Sequence, residues 1–257
     1  MPQIPLEDQI QAISALIDVD RNHAPTKENS FVYIRPVMFA TEDCMCAREG
    51  DSFTYGIVLS PSENLFGKVL RPISLLLTEQ YHRVAPGHIG KAKTGCNYGS
   101  TLFALQEARK REANQVLYLD ATNTYVEETG TMNHYHVTKD EKIIIPEFTQ
   151  MILESITSRS MLALNKQLGY DVVQEKVPYL KFKEDLENGT IVEAGGLGTG
   201  AGVCPVGMYV LDDNSKMMVK DSLSGPITTR MYQLLMDIQQ GKTEAPEGWL
   251  SKVPKNM

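Results

Sequence analysis

The sequence has few cysteines, a single tryptophan and no long hydrophobic run. Its four cysteines are too few and too scattered for a disulfide-stapled fold, so a reducing cytoplasm is expected. No apolar segment is long enough to span a membrane. The first seven residues lack the charged start and apolar stretch of a signal peptide. The sequence therefore predicts a cytoplasmic globular protein with no membrane partner.

Basic clusters and metal-binding patterns are also lacking. A net charge of −7 without a Lys/Arg cluster argues against nucleic acid as a partner. Cys44 and Cys46 are separated by one residue, whereas zinc sites commonly have two to four between thiols, and no second pair follows. His134 and His136 would share one strand face, but no third ligand is evident nearby. We therefore expect no metal site.

The composition is that of an ordinary globule, with 42% hydrophobic and 22% charged residues. Its 257 residues are enough for one large domain, or one domain plus a fragment. Hydrophobic spacing predicts a mixed α+β order with helices and strands in both halves of the chain. The predicted helices are 6–18, 97–112, 157–168 and 228–240, and the predicted strands are 31–39, 53–59, 73–77, 115–120, 132–137 and 141–145. We expect a small domain over 1–80, a linker over 81–90 and a large domain over 91–257.

Lys93 is the residue with the most chemical potential. It stands in a run of small residues that extends from Gly90 to Gly99. Glycines permit tight turns and close approach of a ligand to the backbone. A lysine that is desolvated there becomes a nucleophile able to form a Schiff base. A solvated surface lysine is the alternative, because most lysines are exposed.

Five motifs in the same order resemble those of branched-chain amino acid aminotransferases. These are pyridoxal 5'-phosphate (PLP) enzymes of fold type IV, and the likeness extends over nearly the whole chain. The motifs lie at 30–36, 90–99, 128–133, 198–206 and 225–230. The resemblance implies an α+β fold-type IV enzyme with two domains, of which the small N-terminal one is incomplete.

Three side chains match the chemical centre of that family. Lys93 would be the Schiff-base lysine, and it would act as general base and acid on the substrate's α-proton. Tyr98 would hydrogen-bond the phenolic oxygen of the cofactor. Glu128 would pair with the pyridine nitrogen and keep it protonated, and the Glu-Thr-Gly-Thr-Met-Asn register selects it over Glu127.

The resemblance also implies a cradle for the phosphate. The helix that Ser155 opens has an N-terminus suited to an anion, since its first amides point outward. The family places matching amides at Ile156 and Thr157. Thr131 and Thr199 would add further contacts. A plain Ser/Thr helix cap is compatible with the same residues.

The substrate would lie between a turn and the small domain. Consecutive amides in the turn 198–201 form an anion-binding nest, in which Thr199 and Gly200 would receive the α-carboxylate. Tyr33 and Arg35 match the Tyr-x-Arg of the small domain. There the arginine would meet the distal carboxylate of glutamate or 2-oxoglutarate in a bidentate contact.

Two departures of the chain from the family bear on the phosphate site. It lacks the N-terminal segment that in relatives precedes the helix beginning here near Leu6, including an arginine that clamps the phosphate. The usual Leu-Pro-Gly before the phosphate helix is here Leu153-Glu154-Ser155. Glu154 would bring a negative charge close to a dianion, which is unfavourable.

The implied function is transamination of leucine, isoleucine and valine with 2-oxoglutarate by a ping-pong mechanism. The partners would be amino acids, 2-oxo acids and a second copy of the chain, since family members are dimers. Two alternatives stay open. One is another fold-type IV enzyme, a D-amino acid aminotransferase or an aminodeoxychorismate lyase. The other is a truncated, non-catalytic paralogue.

Overall fold

The structure, a computed structural model, describes residues 1–27, 30–63, 70–220 and 224–255. The chain divides into two compact units. One comprises Met1–Gly67 together with Glu244–Met257, and the other comprises Lys68–Thr243.

The first unit contains a helix and a hairpin. Helix α1 covers Leu6–Val19, as the apolar spacing predicted. A short 3₁₀ turn follows at Arg21–His23. Strands β1 (Ser30–Ala40) and β2 (Phe53–Glu63) pair antiparallel in a two-stranded sheet. The predicted strands at 31–39 and 53–59 are thereby confirmed.

The C-terminal segment belongs to this first unit and is tied to it by one side chain. Arg21 Nη2 donates hydrogen bonds to the carbonyl oxygens of Val253 (3.3 Å) and Pro254 (2.7 Å). The same guanidinium pairs with Asp18 at 2.9 Å. Arg21 therefore joins the end of α1 to the end of the chain.

The second unit is a large mixed sheet with helices packed on it. Its helices are α2 (Gly95–Gly99), α3 (Leu102–Lys110), α4 (Ile156–Gln167), α5 (Tyr179–Glu187) and α6 (Pro226–Gln239). Its strands are β3 (Ile73–Thr78), β4 (Gln115–Leu119), β5 (Tyr125–Thr129), β6 (Asn133–Thr138), β7 (Ile143–Pro146), β8 (Val172–Glu175), β9 (Val177–Pro178), β10 (Ile191–Gly198), β11 (Gly202–Leu211) and β12 (Lys216–Met218).

The strand order of this sheet brings β5 next to β6. The order is β8-β7-β6-β10-β11-β3-β4-β5-β9, with β12 added on β11. Strand β5 also pairs with β6, so β6, β10, β11, β3, β4 and β5 close into a ring. That closing pair sets Glu128 directly opposite Asn133.

Alternating side chains of β3 and β4 bury both faces of the sheet, as period-2 strands do. On one face Leu75, Leu77 and Leu117 pack in a cluster with Phe182 and other residues of α5. On the other face Leu76, Val116 and Tyr118 pack against Ala104 and Ala108 of α3. The central strands are thus covered by helices on two sides.

The structure departs from the predicted helix at 97–112. That single helix is wrong, because it is divided into α2 and α3 at Ser100 and Thr101. The hydroxyls of these two residues bond Asn97 O (3.0 Å) and Tyr98 O (2.7 Å), local bonds that compete with the helical ladder. Leu102, the first residue of α3, is 59% exposed, so it lies on the outer face of the helix.

The two units also differ in extent from the predicted domains. The first ends at residue 67 instead of 80, and it takes up residues 244–257. Strand β3, expected in the small domain, pairs in parallel with β4 and β11 in the large sheet. The segment expected as a linker over 81–90 lies within the second unit. Hydrophobic pattern marks a strand but does not say which sheet it joins.

Candidate active site

Lys93 and Tyr98 are in direct contact. Lys93 Nζ donates a hydrogen bond to Tyr98 Oη at 3.0 Å, and it also lies 5.2 Å from the centre of the ring. Lys93 follows a turn and Tyr98 is in α2, so the two predicted residues are brought together across five positions. The lysine side chain is exposed rather than desolvated in the chain described.

The loop that carries Lys93 is fixed from within. Asn97 Nδ2 donates to the carbonyl oxygens of Ile89 (2.8 Å) and Ala92 (2.9 Å), and Asn97 is buried. A Cβ at Gly90 would lie 2.6 Å from Met151 Cα, so only glycine allows the two backbones to approach this closely. The loop is therefore held against the segment that precedes α4.

Glu128 is buried and paired with Arg83. Arg83 Nη2 lies 2.8 Å from Glu128 Oε1, and the two side chains are only 4% and 6% exposed. The same nitrogen donates to Gly90 O at 3.1 Å and to Met151 O. Arg83 thus connects the predicted carboxylate with the loop before Lys93 and with the segment before α4.

Two further donors hold the Glu128 carboxylate. Leu153 N–H donates to Oε1 and Asn133 Nδ2 donates to Oε2, both at 2.9 Å. Asn133 accepts a hydrogen bond from Ser158 Oγ at 2.7 Å, so the network continues into α4. Burial raises the pKa of Glu128 to about 7, while the Arg83 guanidinium and these hydrogen bonds lower it.

Glu127 is a second buried carboxyl on the adjacent position of β5. It is 2% exposed. Burial, with a contribution from the charge of Asp120, raises its pKa to about 7, while the charge of Arg83 lowers it. The buried Arg83 guanidinium therefore lowers the pKa of both carboxyls, and it forms its ion pair with Glu128.

The start of α4 presents the predicted amides. Ser155 is the N-cap, and its Oγ accepts the amide of Ser158 at 3.1 Å. The amides of Ile156 and Thr157 are in the first turn, where helix geometry provides no internal acceptor. Thr157 is buried, whereas the Ile156 side chain is 73% exposed. The helix end can therefore receive an anion through its backbone.

The negative charge of Glu154 beside this helix end is neutralised by two cations. Lys91 Nζ lies 3.1 Å from Glu154 Oε1, and Arg159 Nη2 pairs with Oε2. These contacts, Lys91 first, lower the pKa of Glu154. Glu154, which departs from the family's usual Leu-Pro-Gly, is therefore accompanied by two cations that compensate its charge.

The two turns that carry Thr131 and Thr199 lie side by side. Strand β6 begins after one turn and β10 ends before the other, with Leu197 opposite Asn133. A Cβ at Gly198 would lie 3.5 Å from Thr131 O. Both threonines are exposed. A Cβ at Gly200 would meet no described atom within 4 Å, so the second turn faces open space.

Tyr33 and Arg35 lie on β1 in the first unit. Arg35 Cζ lies 4.8 Å from the centre of the Tyr33 ring, so the two side chains share one face of the strand. Arg35 is exposed and Tyr33 is half-buried. These two predicted residues therefore belong to a different unit from all the others.

Arg83 and Asn133 are the residues that sequence reasoning missed. Arg83 falls in the segment predicted as a linker, and a lone arginine in an irregular segment has no pattern that marks burial. Asn133 is the last residue of the motif at 128–133, and the resemblance assigned no role to it. The signal that could have identified it is its place opposite Glu128, which depends on the β5–β6 pairing.

The two histidines of β6 lie inside an aromatic cluster. His134 Nε2 is 2.9 Å from Tyr209 Oη, and the rings of both histidines pack edge-on to Phe182. Across the described ranges, no group of three or more His, Cys, Asp or Glu could hold a metal ion. Nor is any helix in those ranges long and apolar enough to cross a membrane.

Comparison with known proteins identifies the family of this chain. The family model "Amino-transferase class IV" matches residues 4–207. A probable branched-chain-amino-acid aminotransferase of Staphylococcus aureus is 34% identical over 257 residues, which cover 99% of this chain and 71% of the relative. One of Streptomyces coelicolor is 36% identical over 253 residues, covering 97% and 69%.

A solved structure shares the fold. The branched-chain amino acid aminotransferase of Escherichia coli superimposes with a TM-score of 0.79. It is 25% identical, over 99% of this chain and 78% of the other. The predicted α+β, fold-type IV class is confirmed, and the chain belongs to the class IV aminotransferases.

Proposed function

We propose that this protein transaminates branched-chain L-amino acids with 2-oxoglutarate and glutamate, using PLP held by Lys93 in a ping-pong cycle. The observation that carries the proposal is the buried, ion-paired Glu128. A carboxylate in such a place is suited to a protonated ring nitrogen. The names of the relatives support the choice of branched-chain substrates.

The residues present fit PLP. An amine and a phenol are in contact at Lys93 and Tyr98. A buried carboxylate is held in one orientation at Glu128. For the phosphate, the start of α4 and the two threonine turns supply amides and hydroxyls. When bound, PLP supplies an electron-accepting ring for the bond changes at the substrate's α-carbon.

Lys93 moves the proton in this proposal. With the cofactor bound, its Nζ would accept the proton from the substrate's α-carbon as a general base and would donate it again as a general acid. Tyr98 Oη, which accepts a hydrogen bond from Nζ at 3.0 Å, orients that amine. Ionised Glu128 would pair with the ring nitrogen of the cofactor and favour its protonated form.

The substrate contacts are assigned to two places. In the turn 198–201, the amides of Thr199 and Gly200 bind the α-carboxylate, as consecutive amides in a glycine-rich turn can do. Arg35, with Tyr33 beside it, binds the distal carboxylate of glutamate. We also propose a homodimer in the cytoplasm; the free thiols of the cysteines fit a reducing compartment.

The test is a product assay. Protein incubated with PLP, L-leucine and 2-oxoglutarate is expected to form glutamate, with valine and isoleucine also accepted. Lys93→Ala should lose activity by at least ~10³-fold. Lys110→Ala, at an exposed lysine at the end of α3, is the matched control and should retain it. Glutamate formed from D-leucine but not L-leucine would contradict the proposal in favour of a D-amino acid enzyme.

A further inference from the structure

The two oxygens of the Glu128 carboxylate have different neighbours. Each accepts one hydrogen bond at 2.9 Å, Oε1 from the Leu153 N–H and Oε2 from Asn133 Nδ2. Oε1 also forms the ion pair with Arg83, whose Nη2 lies 2.8 Å away. Each carboxylate oxygen can accept about two hydrogen bonds, so Oε2, which has no cation against it in the described part of the chain, has an acceptor position for a ligand.

Arg83 is built into the fold rather than lying on its surface. It is 5% exposed, and its Nη2 also bonds the carbonyl oxygens of Gly90 and Met151. Ser100 Oγ in turn donates to the Arg83 carbonyl at 3.3 Å. A guanidinium held by acceptors on several loops cannot swing away from Glu128 without breaking them.

The negative charges on β5 make a neighbouring cation important for the ionised form of Glu128. Glu127 and Glu128 are neighbours on β5, both buried, and Glu127 adds repulsion to the Glu128 carboxylate. Adjacent strand residues point to opposite faces, so the two carboxyls act on each other through charge rather than contact, and without a cation the buried Glu128 carboxyl would bind a proton more readily. Arg83 is the cation that pairs with Glu128. A protonated Glu128 would have no charge to offer a ring nitrogen.

We propose that Arg83 is a positioning residue that favours the ionised form of Glu128 and pairs with its Oε1, which leaves Oε2 available to the ring nitrogen of the cofactor. The inference rests on the proposed function for the identity of the ligand. The Arg83–Glu128 coupling itself is a property of the chain alone. The two parts can therefore be tested separately.

The first test uses cofactor-free protein. The Glu128 side-chain carboxyl is titrated by ¹³C NMR in glutamate-labelled protein, and its signal is assigned by its loss in Glu128→Gln. Arg83→Met should raise the pH midpoint of Glu128 by at least about one unit, a tenfold gain in proton affinity. Arg83→Lys keeps the charge and should restore most of the difference. An unchanged midpoint in folded Arg83→Met would overturn the proposal.

A double variant covers the case in which Arg83→Met does not fold. Removing Arg83 leaves Glu128 buried with its charge uncompensated, so Glu128→Gln added to Arg83→Met should recover the folded state. Equal loss of folding in the single and double variants would show that the arginine acts by packing alone, and would overturn the proposal.

The second test adds PLP. Arg83→Met should bind PLP at least ~10-fold more weakly than the native chain, while borohydride reduction still attaches the cofactor to Lys93. Arg83→Lys should bind with an intermediate affinity. PLP binding unaffected by Arg83→Met would overturn the ligand part. If the native chain itself does not bind PLP, the proposed function fails, and the carboxyl titration still decides the coupling.

Discussion

The pH dependence of the free energy of unfolding tests whether Glu127 is a buried acid. Its pKa is raised from the ordinary 4.5 to about 7, chiefly by burial. The folded state then binds a proton that the unfolded state releases between these two values. The free energy of unfolding therefore falls as pH rises from about 4.5 to about 7, and it levels off above. The full difference corresponds to about 3 kcal/mol.

The pH profile of the native chain alone would not isolate this effect. Burial lowers the pKa of His136 to about 4 and that of His134 well below its ordinary value. These two groups make the free energy of unfolding rise with pH over an overlapping range. A difference between the native chain and Glu127→Gln removes their contribution, because both histidines are present in each protein.

The difference in the free energy of unfolding between Glu127→Gln and the native chain should depend on pH. Glutamine resembles the protonated acid, so Glu127→Gln should change the free energy of unfolding by less than about 1 kcal/mol at pH 5. At pH 8 the variant should be more stable than the native chain by about 3 kcal/mol. Relief of repulsion on Glu128 has the same sign. Urea unfolding of cofactor-free protein at both pH values measures it.

The matched control is Glu147→Gln, the same chemical change at an exposed glutamate. It should alter the free energy of unfolding by less than about 0.5 kcal/mol at either pH. If the Glu127→Gln difference is the same at pH 5 and pH 8, Glu127 is not the buried acid described, and the reasoning is refuted.

Three further predictions follow from close packing, helix capping and thiol burial. Gly90→Ala should lower the free energy of unfolding by about 1–3 kcal/mol, because the added Cβ would meet the backbone before α4. Gly95→Ala, where the added Cβ would meet open space, should leave it unchanged, and urea unfolding compares the two variants. Glu193→Ala should cost about 1–3 kcal/mol in the same assay, since the carboxylate accepts two amides at the start of α6. Iodoacetamide at pH 7 should alkylate Cys44 at least ~10-fold faster than Cys204, as measured by peptide mass spectrometry. Cys44 is exposed and has a lowered pKa, whereas Cys204 is buried and its pKa is raised to about 12.

Strands with clear patterns were predictable from sequence. Apolar β-branched or aromatic runs placed β1, β3 and β4 to within a few residues. Strand β5 was missed although it carries the key carboxylate. Two adjacent glutamates at 127 and 128 argue for exposure, and their burial depends on Arg83, which comes from a distant part of the chain.

The site was predictable to a different degree. Lys93, Tyr98 and Glu128 were predicted through resemblance, and the structure places the Lys93 and Tyr98 side chains in contact. The contacts of Arg83 were not foreseeable, because burial of a cation is a tertiary property. Its acceptors come from three segments that meet only when the ring of strands closes.

The most direct test of the central claim is an absorbance spectrum of the protein with PLP, recorded before and after L-leucine. We predict a visible cofactor band that depends on Lys93 and that L-leucine converts to the shorter-wavelength pyridoxamine form. Lys93→Ala should lack the band, and Lys110→Ala should keep it. A folded native chain that shows no such band with saturating PLP would contradict the account.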